Sequence, residues 1–311
     1  MIAIPDRILC SGNLVQDIVV APSDSIVFGG TQFVERVEQH LGGNGANSSY
    51  TIGILGGRVR ILGWVGADSF GSEIKRLLHS VGVDLTFLQT GRTGTATSVA
   101  LVKTDGSRAF LHMPGVSSEA FVDFQSFDQR ATVGCSHYHL ANPYALPAFR
   151  RKACLALRCA KDFGMTTSLD TAWDSQGEWM QVLAPCLPLV DLLFANEDEI
   201  RMLTGFQDPI QAVEAFRAKG ARDVVVKLGE RGCMVFICGQ DPFLSPALPI
   251  QAIDTSGAGD CFVGAFLAAL QRGLDCTRAA QIANAVGGLS ASAFGGVSGL
   301  KSFEEICELL P

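Results

Sequence analysis

One segment, Asp254-Thr-Ser-Gly-Ala-Gly-Asp260, places small residues and two carboxylates directly before a long apolar stretch. That stretch predicts a helix over 257–272, so the backbone N–H groups of residues 257–259 would lie at the end where the helix dipole favours an anion. Asp260 would lie in the first turn, where it could accept a proton from an attacking hydroxyl while the N–H groups hold a phosphoryl group. The alternative is that Asp260 only complements the dipole of its own helix.

A second glycine-rich segment is Leu41-Gly-Gly-Asn-Gly-Ala-Asn47. Residues 43–48 are one residue short of a dinucleotide-binding fingerprint, and residues 37–41 are too polar for the buried strand that such a fingerprint needs. We expect instead a loop that enters a helix, in which Asn44 and Asn47 offer amide groups to a polyhydroxylated ligand. A plain helix cap with glycine turns is the alternative.

A third glycine-rich segment, Val226-Lys-Leu-Gly-Glu-Arg-Gly232, follows one apolar run and leads into another. It would lie at the edge where a parallel sheet presents ligands, and a simple β-turn is the alternative. No lysine follows a glycine, which excludes a Walker loop, and there is no Gly-x-Ser-x-Gly motif. His137 and His139 would point to one face of a strand, where packing is favoured over metal ligation.

After about residue 130, strand and helix patterns alternate, which predicts a mostly parallel sheet with helices on both faces. The predicted strands are 133–140, 166–170, 189–194, 223–228 and 232–237. The predicted helices are 148–163, 197–204, 208–219, 257–272, 276–293 and 302–309. Asp170, at the end of its strand, would face the cleft unless its role is structural.

Earlier in the chain, shorter runs predict the strands 7–11, 14–20, 26–39 and 58–65. Residues 95–112 predict a hairpin about the turn Asp105-Gly106. Ser69 is available to cap a helix over 69–81. These segments would supply a small additional sheet beside the main domain.

Composition narrows the class of protein. The 311 residues include 48% hydrophobic and 18% charged side chains, which favours one α/β domain over a disordered chain. The net charge is −7 and the longest basic run is Arg150-Arg151-Lys152, which argues against a nucleic-acid partner. No segment is apolar for long enough to span a membrane, and Asp6 and Arg7 interrupt any signal peptide. Ten cysteines without a Cys-x-x-Cys motif fit reduced thiols in a cytoplasmic protein.

The glycine-rich motifs and an Asn-x-x-Glu element resemble, in order and separation, those of the ribokinase-like (PfkB-type) carbohydrate and nucleoside kinases. The matching motifs are Gly42-Gly43-x-x-Ala46-Asn47 with Leu55-Gly56-Gly57, Asn196-Glu-Asp-Glu199, Val226-Lys-Leu-Gly229-x-x-Gly232 and Asp254-Thr-x-Gly-Ala-Gly-Asp260-x-Phe-x-Gly264-Ala. The resemblance implies one α/β domain over residues 1–311. This would be a three-layer α/β/α sandwich with a mostly parallel central sheet and a small β-sheet lid. Lid strands would come from about 14–38 and 95–112, with substrate under the lid and ATP along the carboxyl edge of the sheet.

The resemblance also assigns roles to individual residues. It implies that Asp260 is the catalytic base, with an anion hole formed by Gly257, Ala258 and Gly259. The positions that match substrate-binding residues are Asp17, Gly43 and Asn47, with Asn13 nearby. The positions that match the nucleotide pocket are Asn196, Lys227, Gly229, Gly232 and Asn284. Lys227 stands where many relatives have a small hydroxyl residue, and we expect it to contact a nucleotide phosphate rather than lie along the surface.

Two kinds of metal ion follow from the same resemblance. Asn196 and Glu199 match residues that organise Mg²⁺ and the phosphates, largely through water. Many relatives also hold a monovalent cation, usually potassium, beside the anion hole. Its ligands here would be Asp254, Ser256, Ser290, Ala293, Gly295 and Gly299. The loop from Phe294 to Gly299 departs from the commoner versions of that site.

These residues predict a kinase that uses ATP and Mg²⁺ to phosphorylate a small sugar, sugar acid or nucleoside. A sugar phosphate would need a basic cluster, and none is evident. Arg108 and His112, on the second strand of the hairpin, could lie near the substrate or be structural. The alternatives are a non-catalytic sugar- or nucleotide-binding relative and a nicotinamide oxidoreductase built around residues 42–48.

Exposed lid strands predict a homodimer that pairs through the lid.

Overall fold

Two β-sheets organise the part of the chain that the computed structural model describes, namely residues 3–26, 28–105, 107–122 and 129–310. The larger sheet contains, in spatial order, β13 (Phe243–Ser245), β12 (Cys233–Phe236), β11 (Asp223–Lys227), β10 (Leu192–Asn196), β9 (Thr166–Asp170), β8 (Cys135–Leu140), β1 (Arg7–Ser11), β4 (Val59–Val65) and β5 (Leu88–Thr90). All neighbours from β11 to β5 are parallel, whereas β12 and β13 are antiparallel.

Helices cover both faces of this sheet. They are α1 (Asn44–Ile54), α2 (Ser69–Ser80), α3 (Gln129–Thr132), α4 (Pro147–Arg150), α5 (Ala153–Asp162), α6 (Met180–Leu183), α7 (Glu197–Thr204), α8 (Pro209–Arg217), α9 (Ala258–Gln271), α10 (Cys276–Ala291) and α11 (Phe303–Glu308). Val225 of β11 belongs to a core cluster that includes residues of α1, α2, α9 and α10, whereas its neighbours Val224 and Val226 belong to a second cluster that includes residues of α5, α7 and α8. Because successive side chains of a strand point to opposite faces, both faces of the apolar run are buried. The predicted three-layer α/β/α fold is confirmed.

The smaller sheet is a separate hydrogen-bonded sheet of four strands. Its strands, in spatial order, are β3 (Arg36–Gly42), β2 (Val15–Ala21), β6 (Ala96–Val102) and β7 (Arg108–Met113). The central pair β2 and β6 is parallel, and both edge strands pair antiparallel to their neighbours. The predicted hairpin is therefore present, although Gly106 of its turn lies outside the described residues.

The strand predicted over 26–39 is wrong in its first part. Within the described residues the strand begins at Arg36, after a turn in which Gly29 adopts a φ of 83°. It continues to Gly42 because its full length pairs with β2. Most of β3 is exposed or half-buried, so the strand before α1 is a lid strand. A dinucleotide fingerprint requires a buried core strand at this point, which removes the basis for the oxidoreductase alternative.

Two helix predictions also need correction. The N-cap of α2 is Asp68 rather than Ser69, because Asp68 Oδ1 accepts the backbone N–H of Gly71 at 2.8 Å. The predicted helix 148–163 is divided into α4 and α5 at residues 151–152. At this break the Lys152 ammonium donates to two backbone carbonyls of the segment before residue 123. Among the described residues, no helix has both the length and the apolar character that a membrane crossing needs.

Helices α1 and α9 pack closely, which fixes how the two glycine-rich motifs meet. A Cβ on Gly264 of α9 would lie 2.6 Å from the Ser48 carbonyl oxygen and 2.8 Å from Thr51 Cβ, both on α1. Ser48 Oγ also donates to the Asp260 carbonyl oxygen at 3.2 Å. A larger residue at 264 would therefore push α1 away from the start of α9.

Replacing Gly264 by alanine should lower the free energy of unfolding by about 1–3 kcal/mol, the usual range for an overpacked core site. Gly287→Ala on α10 is the matched control, since a Cβ there would lie no closer than 3.4 Å to its neighbours. Alanine has the higher helix propensity, so the control should be neutral or gain up to about 1 kcal/mol. Urea denaturation followed by circular dichroism measures both variants. A Gly264→Ala protein as stable as the wild type would contradict this packing argument.

Candidate active site

Five polar side chains lie at the carboxyl ends of neighbouring parallel strands. Asn13 and Asn142 follow β1 and β8, and Asp170, Asn196 and Lys227 end β9, β10 and β11. Because the strands are parallel, all five occur at one edge of the sheet, where α/β proteins bind their ligands. Asn142 was not singled out from the sequence, although its position directly after the predicted strand 133–140 could have indicated it.

Asp260 lies in the first turn of α9, as predicted, and its carboxylate is held by α1. Asn44 Nδ2 donates to Asp260 Oδ1 at 2.7 Å, and Asn47 Nδ2 donates to Oδ2 at 3.0 Å. Asp260 is only 8% exposed. Burial raises its pKa, while the two amide donors and the Lys227 ammonium oppose that rise. The result is a buried carboxylate with a fixed orientation and a raised affinity for a proton.

Glycine at residue 257 is required by the backbone at the start of α9. Gly257 is the N-cap with a φ of 76°, and a Cβ there would lie 2.7 Å from Asn47 Nδ2. Ala258 and Gly259 begin the helix. The Ala258 N–H makes a long bond of 3.3 Å to the Thr255 carbonyl oxygen, and the Gly259 N–H, in the first turn, has no helical acceptor. The structure thus brings the predicted anion hole beside the predicted base.

The start of α1 is fixed by β1. Gly43 has a φ of 90°, and a Cβ there would lie 2.5 Å from the Asn13 carbonyl oxygen. Asn13 Oδ1 accepts the Asn44 backbone N–H at 3.1 Å, and Asn142 Nδ2 donates to Asn44 Oδ1 at 2.8 Å. Asn142 therefore orients the Asn44 amide so that its nitrogen faces Asp260.

A cavity of about 360 Å³ lies between the lid and the sheet edge. It is lined by six of the predicted substrate residues, which are Asn13, Asp17, Gly43, Asn44, Asn47 and His112. Asp260 and Gly257 form part of the same wall. From the lid, His112 Nδ1 lies 2.8 Å from Ser98 Oγ, and burial lowers the pKa of His112. The cavity therefore combines neutral polar groups with the Asp17 and Asp260 carboxylates and the ion pair of Arg108 and Asp254.

Asp17 projects from β2 over the glycine pair. A Cβ on Gly42 would lie 2.1 Å from Asp17 Oδ2, so only glycine leaves room for this carboxylate. Burial raises the pKa of Asp17 to about 7, and the nearby charges of Asp260 and Asp254 add to the effect. The pKa of Asp17 therefore lies near neutral pH.

Lys227 and Asp170 meet in the half of the cleft away from the lid. Lys227 Nζ lies 2.6 Å from Asp170 Oδ1, and the two side chains are 12% and 4% exposed. Burial raises the pKa of Asp170, and the Lys227 ammonium opposes that rise. Asp170 does not line the 360 Å³ cavity under the lid, so the structure places this predicted substrate residue in a different part of the cleft.

Asn196 and Glu199 form a reciprocal cap at the start of α7. Asn196 Oδ1 accepts the Glu199 N–H at 2.8 Å, and Glu199 Oε2 accepts the Asn196 N–H at 2.8 Å. The Thr171 hydroxyl donates to the same Oε2 at 2.7 Å. Within the described residues, no group of three or more His, Cys, Asp and Glu side chains could hold a metal alone. This donor set fits Mg²⁺ held mainly by nucleotide phosphates and water, since Mg²⁺ sheds its waters reluctantly.

The remaining predicted nucleotide residues surround the turn after β11. Gly229 and Gly232 have φ values of 59° and 94° in this turn. A Cβ on Gly232 would lie 2.1 Å from the Ser245 carbonyl oxygen. Asn284 Nδ2 donates to that same carbonyl at 2.9 Å. The structure thus places Asn284 behind the turn, where its amide supports the backbone that would face a nucleotide.

The residues predicted to bind a monovalent cation form one neighbourhood, but their side-chain oxygens already make hydrogen bonds within the protein. Asp254 Oδ1 accepts the Ser256 N–H at 2.9 Å, and Oδ2 accepts the Gly295 N–H at 3.1 Å. Ser290 Oγ donates to the Gly296 carbonyl at 2.5 Å. The guanidinium of Arg108, reaching down from β7, pairs with Asp254 and lies 3.0 Å from Ser256 Oγ.

This arrangement does not fit a potassium ion bound by those side chains. Arg108 already supplies a positive charge to Asp254, and a second cation beside it would be repelled. Ala293 and Gly299 could offer only backbone carbonyls, because neither side chain carries an oxygen. Burial acts to raise the pKa of Asp254, but the donors from Ser256, Gly295 and Arg108 hold it below its usual range.

Replacing Asp17 by asparagine should stabilise the protein at pH 8 more than at pH 5. The pKa of Asp17 is about 7 in the folded protein, above its ordinary value of 3.8, so folding disfavours the ionised form. The wild type therefore loses stability as the pH rises from about 4 to 7, whereas the variant has no such group. Thermal melting at both pH values measures the difference. A gap in Tm that is equal at pH 5 and pH 8 would contradict the burial of an ionisable Asp17.

Comparison with known proteins agrees with this geometry. Residues 6–302 match the pfkB family carbohydrate kinase. The chain is 28% identical to a ribokinase of Haemophilus influenzae over 96% of both chains. It is 30% identical to an ATP-dependent ribose-1-phosphate kinase of Halopiger xanaduensis over 92% of both. The structure of Arabidopsis thaliana ribokinase complexed with ribose and ATP aligns with a TM-score of 0.86 at 25% identity, covering 99% of each chain. The chain therefore belongs to the PfkB family of carbohydrate kinases, which are phosphotransferases.

Proposed function

We propose that this protein transfers the γ-phosphoryl group of ATP to a hydroxyl of a small, uncharged sugar or sugar-like substrate. The observation that carries the proposal is the Asp260 carboxylate, held by Asn44 and Asn47 at the wall of the cavity and beside the start of α9. A buried base next to an anion hole is what hydroxyl activation and phosphoryl transfer both require.

In the proposed reaction, the substrate oxygen forms a bond to the γ-phosphorus and the bond to the β–γ bridging oxygen breaks. Asp260 accepts the hydroxyl proton, and ADP leaves. The N–H groups of residues 257–259 stabilise the charge that develops on the transferring group. Mg²⁺, when bound with ATP, neutralises phosphate charge, and Asn196 and Glu199 are the residues that would organise it. The proposed reaction uses no potassium ion, because the Arg108 guanidinium already pairs with Asp254 at the predicted cation site.

The cavity supports a neutral acceptor better than a sugar phosphate. Asn13, Asp17 and Asn47 offer amide and carboxylate groups that suit several hydroxyls. Arg108 is the basic residue among those lining this cavity, and its guanidinium is paired with Asp254. A sugar phosphate would have to compete with that ion pair. A nucleoside is the second candidate, because ribosyl hydroxyls present the same groups and an aminoimidazole riboside kinase is 27% identical over 83% of the chain.

A substrate panel tests this proposal. ADP release should be measured with ATP and Mg²⁺ against ribose, fructose, 2-keto-3-deoxygluconate, adenosine and ribose 1-phosphate. We expect turnover with at least one uncharged sugar or nucleoside and the weakest turnover with ribose 1-phosphate. ATP binding without ADP release on any member would instead favour a non-catalytic relative, and preferred use of ribose 1-phosphate would overturn the choice of a neutral acceptor.

Replacing Asp260 by asparagine should leave the Tm close to that of the wild type. The new side-chain oxygen can still accept from Asn44, and the Asn47 amide, whose Oδ1 makes no hydrogen bond, can turn to accept from the new amide nitrogen. It should lower turnover by about 10²–10⁴-fold, the range for loss of a positioned general base. Asp162→Asn at the exposed end of α5 is the control and should retain wild-type turnover. Near-normal turnover in Asp260→Asn would remove Asp260 from the role of base.

We also propose that the protein is a homodimer that pairs through the outer face of the lid. The support is apolar exposure on the lid strands, since Val37, Leu111 and Met113 are 63%, 61% and 51% exposed. Residues 108, 110 and 112 of β7 line the cavity, so 109, 111 and 113 point to the opposite face. Covering that face would bury apolar area and protect the edge strands.

Light scattering should therefore give a mass near twice 33.0 kDa for the wild type. Leu111→Glu should shift the mass toward the monomer, because a carboxylate would have to be buried in the pairing face. Leu155→Glu introduces the same charge at an exposed leucine of α5 and should leave the mass unchanged. A wild-type mass equal to that of one chain would contradict the pairing.

A further inference from the structure

The Lys227 ammonium lies beside the first turn of α9, and its side chain is only 12% exposed. Its Nζ lies 3.3 Å from the position that a Cβ would take on Gly259. The ammonium thus faces the first turn of α9, whose N–H groups form the candidate anion hole. Lys227 reaches this point from the end of β11, and its bond of 2.6 Å to Asp170 Oδ1 fixes its direction.

Three carboxylates surround this single ammonium. Burial acts to lower the pKa of Lys227, but the charges of Asp170, Glu199 and Asp260 outweigh it, so the pKa is raised and the ammonium stays charged. A nucleotide phosphate would bring further negative charge to the same place. Without Lys227, the backbone N–H dipoles alone would have to hold that phosphate beside the Asp260 carboxylate. The chain has no Walker lysine that could supply a full positive charge there.

We propose that Lys227 is a catalytic residue whose ammonium contacts the oxygens of the transferring phosphoryl group, and that Asp170 aims this ammonium rather than binding the sugar. The inference rests on the proposed kinase function. The anion hole supplies oriented dipoles, and Lys227 supplies the charge that keeps the phosphoryl group and the ionised base together. This role goes beyond a contact with the nucleotide, because it acts on the group that moves.

A purely structural ion pair is the competing explanation for Lys227 and Asp170. Removing one partner of a buried pair destabilises a protein, whereas replacing both partners by apolar residues is often neutral or stabilising. The double variant Lys227→Met/Asp170→Leu therefore separates the two explanations. It should fold as well as the wild type, and a structural pair would then leave turnover intact.

The experiment measures turnover, with the acceptor that performs best in the panel, and nucleotide binding by calorimetry. Lys227→Met and the double variant should both lose about 10²–10³-fold in kcat, the range for removing one preorganised donor. Asp170→Asn keeps the ammonium and an acceptor, so it should lose far less and leave the KM for the sugar unchanged. Lys227→Met should weaken binding of a non-hydrolysable ATP analogue more than binding of ADP. Lys219→Met, at an exposed lysine after α8, should behave as the wild type.

Three results would overturn the inference. They are wild-type turnover in the double variant, equal weakening of ADP and of the ATP analogue by Lys227→Met, and a raised KM for the sugar as the main effect of Asp170→Asn. The binding comparison needs no turnover. It therefore tests Lys227 even if the wild type fails the substrate panel, in which case the proposed function fails separately.

Discussion

The structure depends on one interaction, in which two amide groups of α1 donate to a buried carboxylate of α9. A carboxylate that is almost removed from water is costly unless hydrogen bonds replace its hydration. Asn44 and Asn47 supply those bonds to Asp260 across 216 and 213 residues of chain. The same contact that stabilises the carboxylate therefore joins the end of a lid strand to a helix from the last quarter of the sequence.

Close approach of backbones makes this interaction possible. A Cβ on Gly45 of α1 would lie 2.8 Å from Gly12 Cα, just after β1, and a Cβ on Gly264 would meet α1 from the other side. Helix α1 is thus held between the edge of the sheet and α9, with small residues on both sides. Gly43 and Gly257, both with positive φ, then start α1 and α9 so that their amino ends meet in one cavity.

The sequence was sufficient for the architecture and for the residues that lie on glycine-rich motifs. Alternating apolar runs predict the parallel strands, because burial on both faces leaves a local pattern. The start of α9 and the position of Asp260 in its first turn also follow from local residue types, because a glycine-rich segment precedes a long apolar stretch. What the sequence could not show is which side chains pair across distant elements. The Arg108 contact with Asp254 spans 146 residues, and the Asn142 contact with Asn44 spans 98.

The predicted N-cap of α2 was wrong for a related reason. Asp68 and Ser69 are both good caps, and local propensity does not distinguish them. Asp68 is selected because its carboxylate also accepts the Thr95 N–H at 2.7 Å, which ties α2 to the start of β6. A hydrogen bond to a distant segment thus determines which of the two residues caps the helix. The strand that was predicted to begin at residue 26 begins instead at Arg36, where pairing with β2 starts.

The distribution of charge in the cleft sets Asp260 apart from its neighbours. Arg108 pairs with Asp254 below the lid, and Lys227 pairs with Asp170 at the far side. Each cation neutralises one carboxylate through a direct ion pair, and Glu199 is occupied by the cap of α7. Among the described residues, Asp260 instead receives only neutral amides at hydrogen-bonding distance. Neutral donors orient a carboxylate without cancelling its charge, so Asp260 keeps the basicity that the proposed role of proton acceptor needs.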